Sequence, residues 1–279
     1  MEQKQSSRVL VNLLGLPLLL LIIYLGDSFN DFPIFSIFVL IVLLLGAVEI
    51  KNLTSIYNSA PLTNLLCLFL ILLQINRYQG FSSNLNIHHL ILLATIIVMI
   101  VEIFRRQKNS FMNIAVFVFA FIWLGLMLGS LAELRNIPSI GFKITLTLFL
   151  SVWICDTAAF YFGKKFGDKK IIPLVSPNKT WVGSIAGLAS SILFIYILKY
   201  YNFFNDMIMM HDALIIGLIT GGIAQLGDWS ESLLKRNAGI KDTSSILQGH
   251  GGILDRFDSL SFAAPLTLIY VKHFIAIGS

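Results

Sequence analysis

Residues 249–259 read Gly-His-Gly-Gly-Ile-Leu-Asp-Arg-Phe-Asp-Ser. Gly251 and Gly252 interrupt a helix and let backbone approach a ligand closely. Asp255 and Asp258 follow, three apart, as an apolar run begins. Carboxylates near a helix N-terminus also complement its dipole. That accounts for one aspartate and leaves His250-Gly251-Gly252 unexplained. His250, between glycines and beside paired aspartates, is a candidate phosphate contact. His88, His89, His211 and His273 lack such company and read as interfacial. Upstream stands Gly-Asp-Trp-Ser-Glu-Ser-Leu-Leu-Lys-Arg, residues 227–236. If a helix continues through it, Asp228, Glu231, Ser232 and Lys235 fall at i, i+3, i+4 and i+7 and share one face. The plainer reading is a helix leaving the membrane, but the glycine-aspartate cluster close behind weakens it. One aspartate from each of two successive helices makes an oxygen site for Mg²⁺. That ion is commonly held by one or two carboxylates while substrate phosphates complete its shell. Lys235, Arg236, Lys241 and Arg256 supply phosphate contacts. Residues 228–258 hold five acids and four bases, a balance suited to an anionic phosphate plus a divalent metal.

A third group lies earlier. Asp156 sits late in an apolar run, about two turns before Gly163, and an acid there needs a polar partner or a site. Ser176-Pro177-Asn178-Lys179-Thr180 precedes the next apolar run. A Ser or Thr there caps the helix, and Lys179 beside a helix N-terminus is a candidate anion site. Alone, this stretch also reads as an ordinary positive loop.

The elements that must position these residues are membrane helices. The chain has 279 residues, 56% hydrophobic and 13% charged, against about 25% charged in soluble domains. Its mean hydropathy is strongly positive. Each span takes about 20 apolar residues, and apolar stretches lie near 9–25, 33–50, 59–76, 87–104, 111–132, 138–162, 180–200, 212–229 and 258–277. The expectation is an all-α polytopic membrane protein of about nine transmembrane helices. The first run, behind Lys4 and Arg8, reads as a retained span and not a cleaved signal. With nine spans, fifteen Lys and Arg fall on the side of the N-terminus and the two long loops, and five on the other. The positive-inside rule puts the first group in the cytoplasm. The net charge of +5 does not point to nucleic acid, because no basic run interleaves with aromatics on a polar domain. Cys67 and Cys155 fall in apolar segments and read as packing residues. Residues 1–150 hold seven of the twenty glycines and 151–279 hold thirteen. Gly183, Gly187 and Ser191, like Gly217 and Gly221, recur at four-residue spacing, which lets membrane helices approach. Residues 1–136, spans one to five, therefore read as a transmembrane scaffold whose second and third spans are plain. Residues 137–279 read as the catalytic region, with cytoplasmic loops 163–179 and 228–258.

Together and in this order, these pieces resemble the phosphatidate cytidylyltransferase (CDP-diacylglycerol synthase) family. The match runs over roughly residues 150–265. It rests on Ser232-Leu233-Leu234-Lys235-Arg236, Lys241-Asp242, and His250-Gly251-Gly252-Ile253-Leu254-Asp255-Arg256-Phe257-Asp258, with the upstream Asp156-Thr157-Ala158-Ala159 and Ser176–Thr180. Two positions depart. Gln248 stands where the family usually has Pro, Gly or Ser, which alters the loop's backbone preference. Val182 stands where Glu or Gln is expected, which removes a polar group near the expected pocket. The resemblance implies that CTP and phosphatidic acid, the latter drawn from the bilayer, give CDP-diacylglycerol and pyrophosphate with Mg²⁺; a second, monovalent cation and a homodimer are compatible with it. It implies an integral protein of the cell (inner) membrane with its active site facing the cytoplasm. The catalytic set is then Asp228, Lys235, Arg236, His250, Asp255, Arg256 and Asp258, with the metal on Asp228, Asp255 and Asp258. The substrate-binding set is Asp156, Ser176, Lys179, Thr180, Glu231, Ser232, Lys241, Asp242, Gly251 and Gly252. Competing readings are a related CTP-dependent lipid enzyme, such as a CDP-archaeol-type synthase or an isoprenoid-alcohol kinase, and a cation-coupled transporter with Asp156, Asp228 and Asp255 as an ion path.

Overall fold

The computed structural model describes residues 15–26, 33–79, 86–246 and 251–275. Among the described residues every regular element is helical, apart from an isolated bridge between Lys170 and Thr180. The helices are α1 (Gly15–Leu25), α2 (Ile34–Leu53), α3 (Thr63–Gln79), α4 (Ile87–Arg105), α5 (Ser110–Ala120), α6 (Ser130–Arg135), α7 (Gly141–Phe166), α8 (Trp181–Tyr200), α9 (Met210–Leu218), α10 (Ala224–Asn237) and α11 (Leu254–Tyr270). A π-helical stretch, Phe121–Leu128, joins α5 to α6, and another, Ile219–Ile223, joins α9 to α10. Six of the resulting rods are long and apolar enough to cross a membrane: α2, α4, Ser110–Arg135, α7, α8 and Met210–Asn237. With every backbone group paired inside its own helix, such rods suit hydrocarbon, and the chain is an integral membrane protein. The expected count of about nine is not reached on these terms. Both α3 and α11 have 17 residues; polar Gln74, Asn76 and Arg77 end the apolar run of the first, and the aspartates at the start of the second shorten its run.

The chain divides into two compact units. Unit 1 comprises residues 1–133 and 237–256; unit 2 comprises 134–236 and 257–279. In unit 1, Leu43, Leu70, Leu73 and Leu124 are fully buried. Phe69 meets Phe117 and Phe121 edge-on, with ring centroids 6.3 and 6.1 Å away, the arrangement that aromatic quadrupoles favour. Arg77 donates to Glu133 Oε1 at 2.7 Å and to the Gly125 carbonyl at 2.6 Å. A carbonyl of the π-helical stretch is thereby satisfied inside an apolar unit.

Unit 2 is built on close approach. An added Cβ at Gly187 would lie 2.8 Å from the Cys155 carbonyl oxygen, and one at Gly183 would lie 2.6 Å from that of Ala159. Glycine at both positions therefore sets the α7–α8 distance. Gly221 does the same for α8 against the 219–223 stretch, where a Cβ would meet Ser191 Cβ at 2.7 Å. Ser151 Oγ lies 2.5 Å from Ser191 Oγ and 2.8 Å from Thr220 Oγ1, so three hydroxyls bind these helices, each bond worth about 0.6 kcal/mol in a membrane interior. The small residues flagged in the sequence are thus the packing seam. The rod Met210–Asn237 has 28 residues, about 42 Å at 1.5 Å per residue, against a hydrocarbon core of about 30 Å. Its last turns, residues 228–237, carry most of its charged residues.

Candidate active site

The expected site residues fall into two groups, one in each unit. In unit 2 the helix does continue through 227–236, so Asp228, Glu231, Ser232 and Lys235 share a face of α10. Ser232 Oγ lies 3.5 Å from Asp228 Oδ1. Lys235 Nζ lies 3.2 Å from Glu231 Oε1, and both side chains are buried. Asp228 Oδ2 pairs with Lys179 Nζ, which reaches it from the loop before α8. That helix begins as the sequence predicts: the Gly183 N–H donates to Thr180 Oγ1 at 3.2 Å. An added Cβ on Gly227 would lie 2.6 Å from the Asp258 carbonyl oxygen. This close contact of α10 with α11 brings Asp228 and Asp258 together.

Asp156, Asp228 and Asp258 all act on the Lys179 ammonium. Burial works against that charge, but Asp228 first, with Asp156 and Asp258 behind it, outweighs the penalty and holds the Lys179 pKa above the ordinary lysine value. Lys179 is therefore a fixed cation. Asp156 is not buried in the helix core: its side chain is exposed and lines a cleft of ≈ 510 Å³ with Lys164, Lys170, Asn178, Lys179, Thr180, Ser184 and their neighbours. Three lysines and the start of α8 thus line one cleft, a setting suited to a polyanion. Arg236 Nε donates to the Val175 carbonyl at 3.3 Å, and the Ser176 carbonyl accepts from the Lys179 N–H at 3.3 Å, so both shape the loop that carries Lys179. Val182 is exposed and does not line the cleft.

The second group lies in unit 1. Gly251 has φ +81°, a conformation glycine adopts at little cost. Asp255 Oδ2 accepts from the N–H groups of Thr243 and Gly252 at 2.9 and 2.7 Å. The Thr243 hydroxyl lies 2.9 Å from the same oxygen. Lys241, Asp242 and Arg256 are exposed. His250 and Gln248 lie outside the described residues. Asp228 and Asp258 belong to unit 2 and Asp255 to unit 1. Among the described residues no three His, Cys, Asp or Glu side chains converge to hold an ion.

Sequence reasoning missed the centre of this second group. Glu49, on the α2 that reads as plain, is 1% exposed. Its Oε1 accepts from Ser244 Oγ at 2.6 Å and the Ile253 N–H at 2.8 Å. Its Oε2 accepts from Thr243 Oγ1 at 2.8 Å and the Leu254 N–H at 2.9 Å. Asn52, one turn on, donates to the Thr243 carbonyl at 2.7 Å. A Cβ on Gly252 would lie 2.5 Å from each Glu49 carboxylate oxygen, so only glycine fits there. The signal was available: a glutamate inside an apolar run merits the functional reading that Asp156 received. A cleft of ≈ 490 Å³ adjoins the cluster, lined by Glu49, Asn52, Asp242, Thr243 and Ser244 among others.

Residues 6–274 match the cytidylyltransferase family. Among curated relatives, the phosphatidate cytidylyltransferase of Staphylococcus aureus strain COL is 34% identical over 247 residues, which are 88% of this chain and 93% of that protein. The Staphylococcus haemolyticus protein of the same name is 32% identical over 260 residues, 93% of this chain and 96% of the relative. That of Staphylococcus saprophyticus is 40% identical over 164 residues, 59% of this chain and 61% of the relative.

Proposed function

The chain belongs to the cytidylyltransferase family, and we propose on that footing that it transfers the cytidylyl group of CTP to phosphatidate, giving CDP-diacylglycerol and pyrophosphate. The observation that supports this most is the unit 2 cleft, which Lys164, Lys170 and Lys179 line beside Asp156. A phosphatidate oxygen attacks the α-phosphorus of CTP. The bond from that phosphorus to the bridging oxygen breaks, and pyrophosphate leaves with the electron pair. The nucleophile is already an anion, so no base is needed. The work is to bring two anions together and offset charge at the reacting phosphorus, which is positioning and electrostatics. Lys179 stays charged through its acids and contacts the triphosphate, with Lys164 and Lys170 at its side. The positive end of the α8 dipole adds to the same pull. Arg236, Arg256 and His250 are assigned to phosphate, and Lys235 with Glu231 fixes the charged face of α10.

Mg²⁺ fits these residues as an ion shared with substrate. Asp156, Asp228 and Asp258 all act on Lys179, so carboxylates gather there, and their hard oxygen donors suit that ion. Asp228 and Asp258 would hold it. When bound, it would offset charge on the nucleotide phosphates. Asp255 is assigned to fixing the glycine loop. The chain crosses the cell membrane about nine times, with both long loops on the cytoplasmic face where CTP is found. The test is pyrophosphate release by purified protein in mixed micelles with CTP, phosphatidate and Mg²⁺, omitting each in turn. Release that needs all three is expected. Release indifferent to phosphatidate, or none from folded protein, would overturn the reading.

A further inference from the structure

We propose that Glu49 is a positioning residue for this transfer: from α2 it fixes the glycine loop and the first turn of α11, from which Asp255 acts. The inference rests on the cytidylyl-transfer reading above.

A carboxylate buried in an apolar helix is expensive and persists only where its charge is met. Among the described residues, the four hydrogen bonds that Glu49 accepts come from residues 243–254, about two hundred positions along the chain, and none from its own helix. Two of the donors are the N–H groups of Ile253 and Leu254, which open α11 and have no partner within the helix. The other two are hydroxyls on the segment leading to the loop. Glu49 therefore ties residues 243–244 to residues 253–254.

The tie to Asp255 is direct. The Thr243 hydroxyl stands 2.8 Å from Glu49 Oε2 and 2.9 Å from Asp255 Oδ2. Its single proton serves one carboxylate at a time. Any change at Glu49 therefore changes what Asp255 accepts. Gly252 packs against Glu49 with no room for a side chain, so the loop backbone cannot shift without displacing the carboxylate. A cap that served stability alone would have no reason to share a donor with Asp255.

Glu49→Gln is nearly isosteric, but its amide nitrogen must face a donor. Hydrogen exchange on the full chain in detergent should show faster exchange confined to the amides of 241–256. The kcat for pyrophosphate release should fall about 10–100-fold, the usual cost of losing a partner that orients a site's ligands, with KM for CTP little changed. Glu49→Asp, which keeps the charge, should recover part of kcat. Wild-type kcat in Glu49→Gln with only a lower melting temperature would make Glu49 a plain structural cap and overturn the inference. So would unchanged exchange in 241–256. The exchange result does not depend on turnover: if the wild type released no pyrophosphate, deprotection confined to 241–256 would support the clamp and the failure would fall on the transfer reading. Should Glu49→Gln not fold, Thr243→Val removes only the shared hydroxyl; it should lower kcat, and unchanged kcat would overturn the inference.

Discussion

Replacing Lys179 with methionine removes the one ammonium on which Asp156, Asp228 and Asp258 all act, while keeping most of its length. The Lys179 and Asp228 side chains are 29% and 20% exposed, so water screens the pair in part. A unit-charge pair near a protein surface is worth about 4 kcal/mol before desolvation, and the net value is nearer about 1 kcal/mol once partial exposure is counted. The pair is therefore a weak reason to keep this lysine for stability. The contact with the triphosphate is worth more. A hydrogen bond to a charged group contributes about 1.5–3 kcal/mol, which at 1.36 kcal/mol per decade predicts a fall in kcat/KM for CTP of about 10–150-fold. A second effect has the opposite sign. Without the ammonium, Asp156 and Asp228 lose the cation that offsets them and attract a divalent cation more strongly, so the half-saturating Mg²⁺ concentration should drop. Pyrophosphate release across a grid of CTP and Mg²⁺ concentrations measures both. A Lys179→Met protein, monodisperse in detergent, with wild-type kcat/KM would refute the assignment of Lys179 to substrate. A half-saturating Mg²⁺ concentration that rose would refute the charge accounting at Asp228.

Three further outcomes follow from the geometry. Asp255→Asn exchanges a carboxylate for an amide and weakens the bonds from the Thr243 and Gly252 N–H groups, each worth about 1.5–3 kcal/mol to a charged acceptor; turnover should drop at least about tenfold while size-exclusion behaviour is unchanged. Gly187→Val places atoms against the Cys155 carbonyl and should destabilise unit 2 by about 1–3 kcal/mol or more, as overpacking does, seen as a lower thermal transition in detergent. Val182→Glu, exposed and off the cleft, should shift stability by no more than about 0.5 kcal/mol and leave the rate of pyrophosphate release close to wild type.

What the sequence made legible was local. The stripe Asp228, Glu231, Ser232, Lys235 needed only helical periodicity, and α10 supplies it. The Thr180 cap needed only a hydroxyl before an apolar run. The glycines at 183, 187, 217 and 221 needed only their spacing. Even the meeting of Lys179 with Asp228 was within reach, because two long charged loops flank spans that small residues draw together. The count of spans was less legible, since polar residues inside α3 and the aspartates of α11 shorten apolar runs that composition alone would extend. Least legible was Glu49. Its partner Thr243 lies 194 residues away, and no periodicity links them. Nor did spacing show that Asp255 is turned to Thr243 and Gly252, because a carboxylate three residues from another looks equally suited to a shared metal.

The place of Glu49 follows from the demands on the loop. Residues 249–252 are rich in glycine, and a glycine has no side chain to cap the helix that comes next. Ile253, at the boundary of α11, has none that accepts a hydrogen bond. Asp255 accepts from the Gly252 and Thr243 N–H groups. The N–H groups of Ile253 and Leu254 would then stay unmet beside an apolar run, at about 1–3 kcal/mol each. An acceptor must come from another helix, and a carboxylate meets two donors at once where a hydroxyl meets one. It also places negative charge at the positive end of α11. The closer the chemistry needs bare backbone near Asp255, the less the loop can hold itself. The support comes from α2, whose Glu49 accepts from Ser244, Ile253 and Leu254 within unit 1.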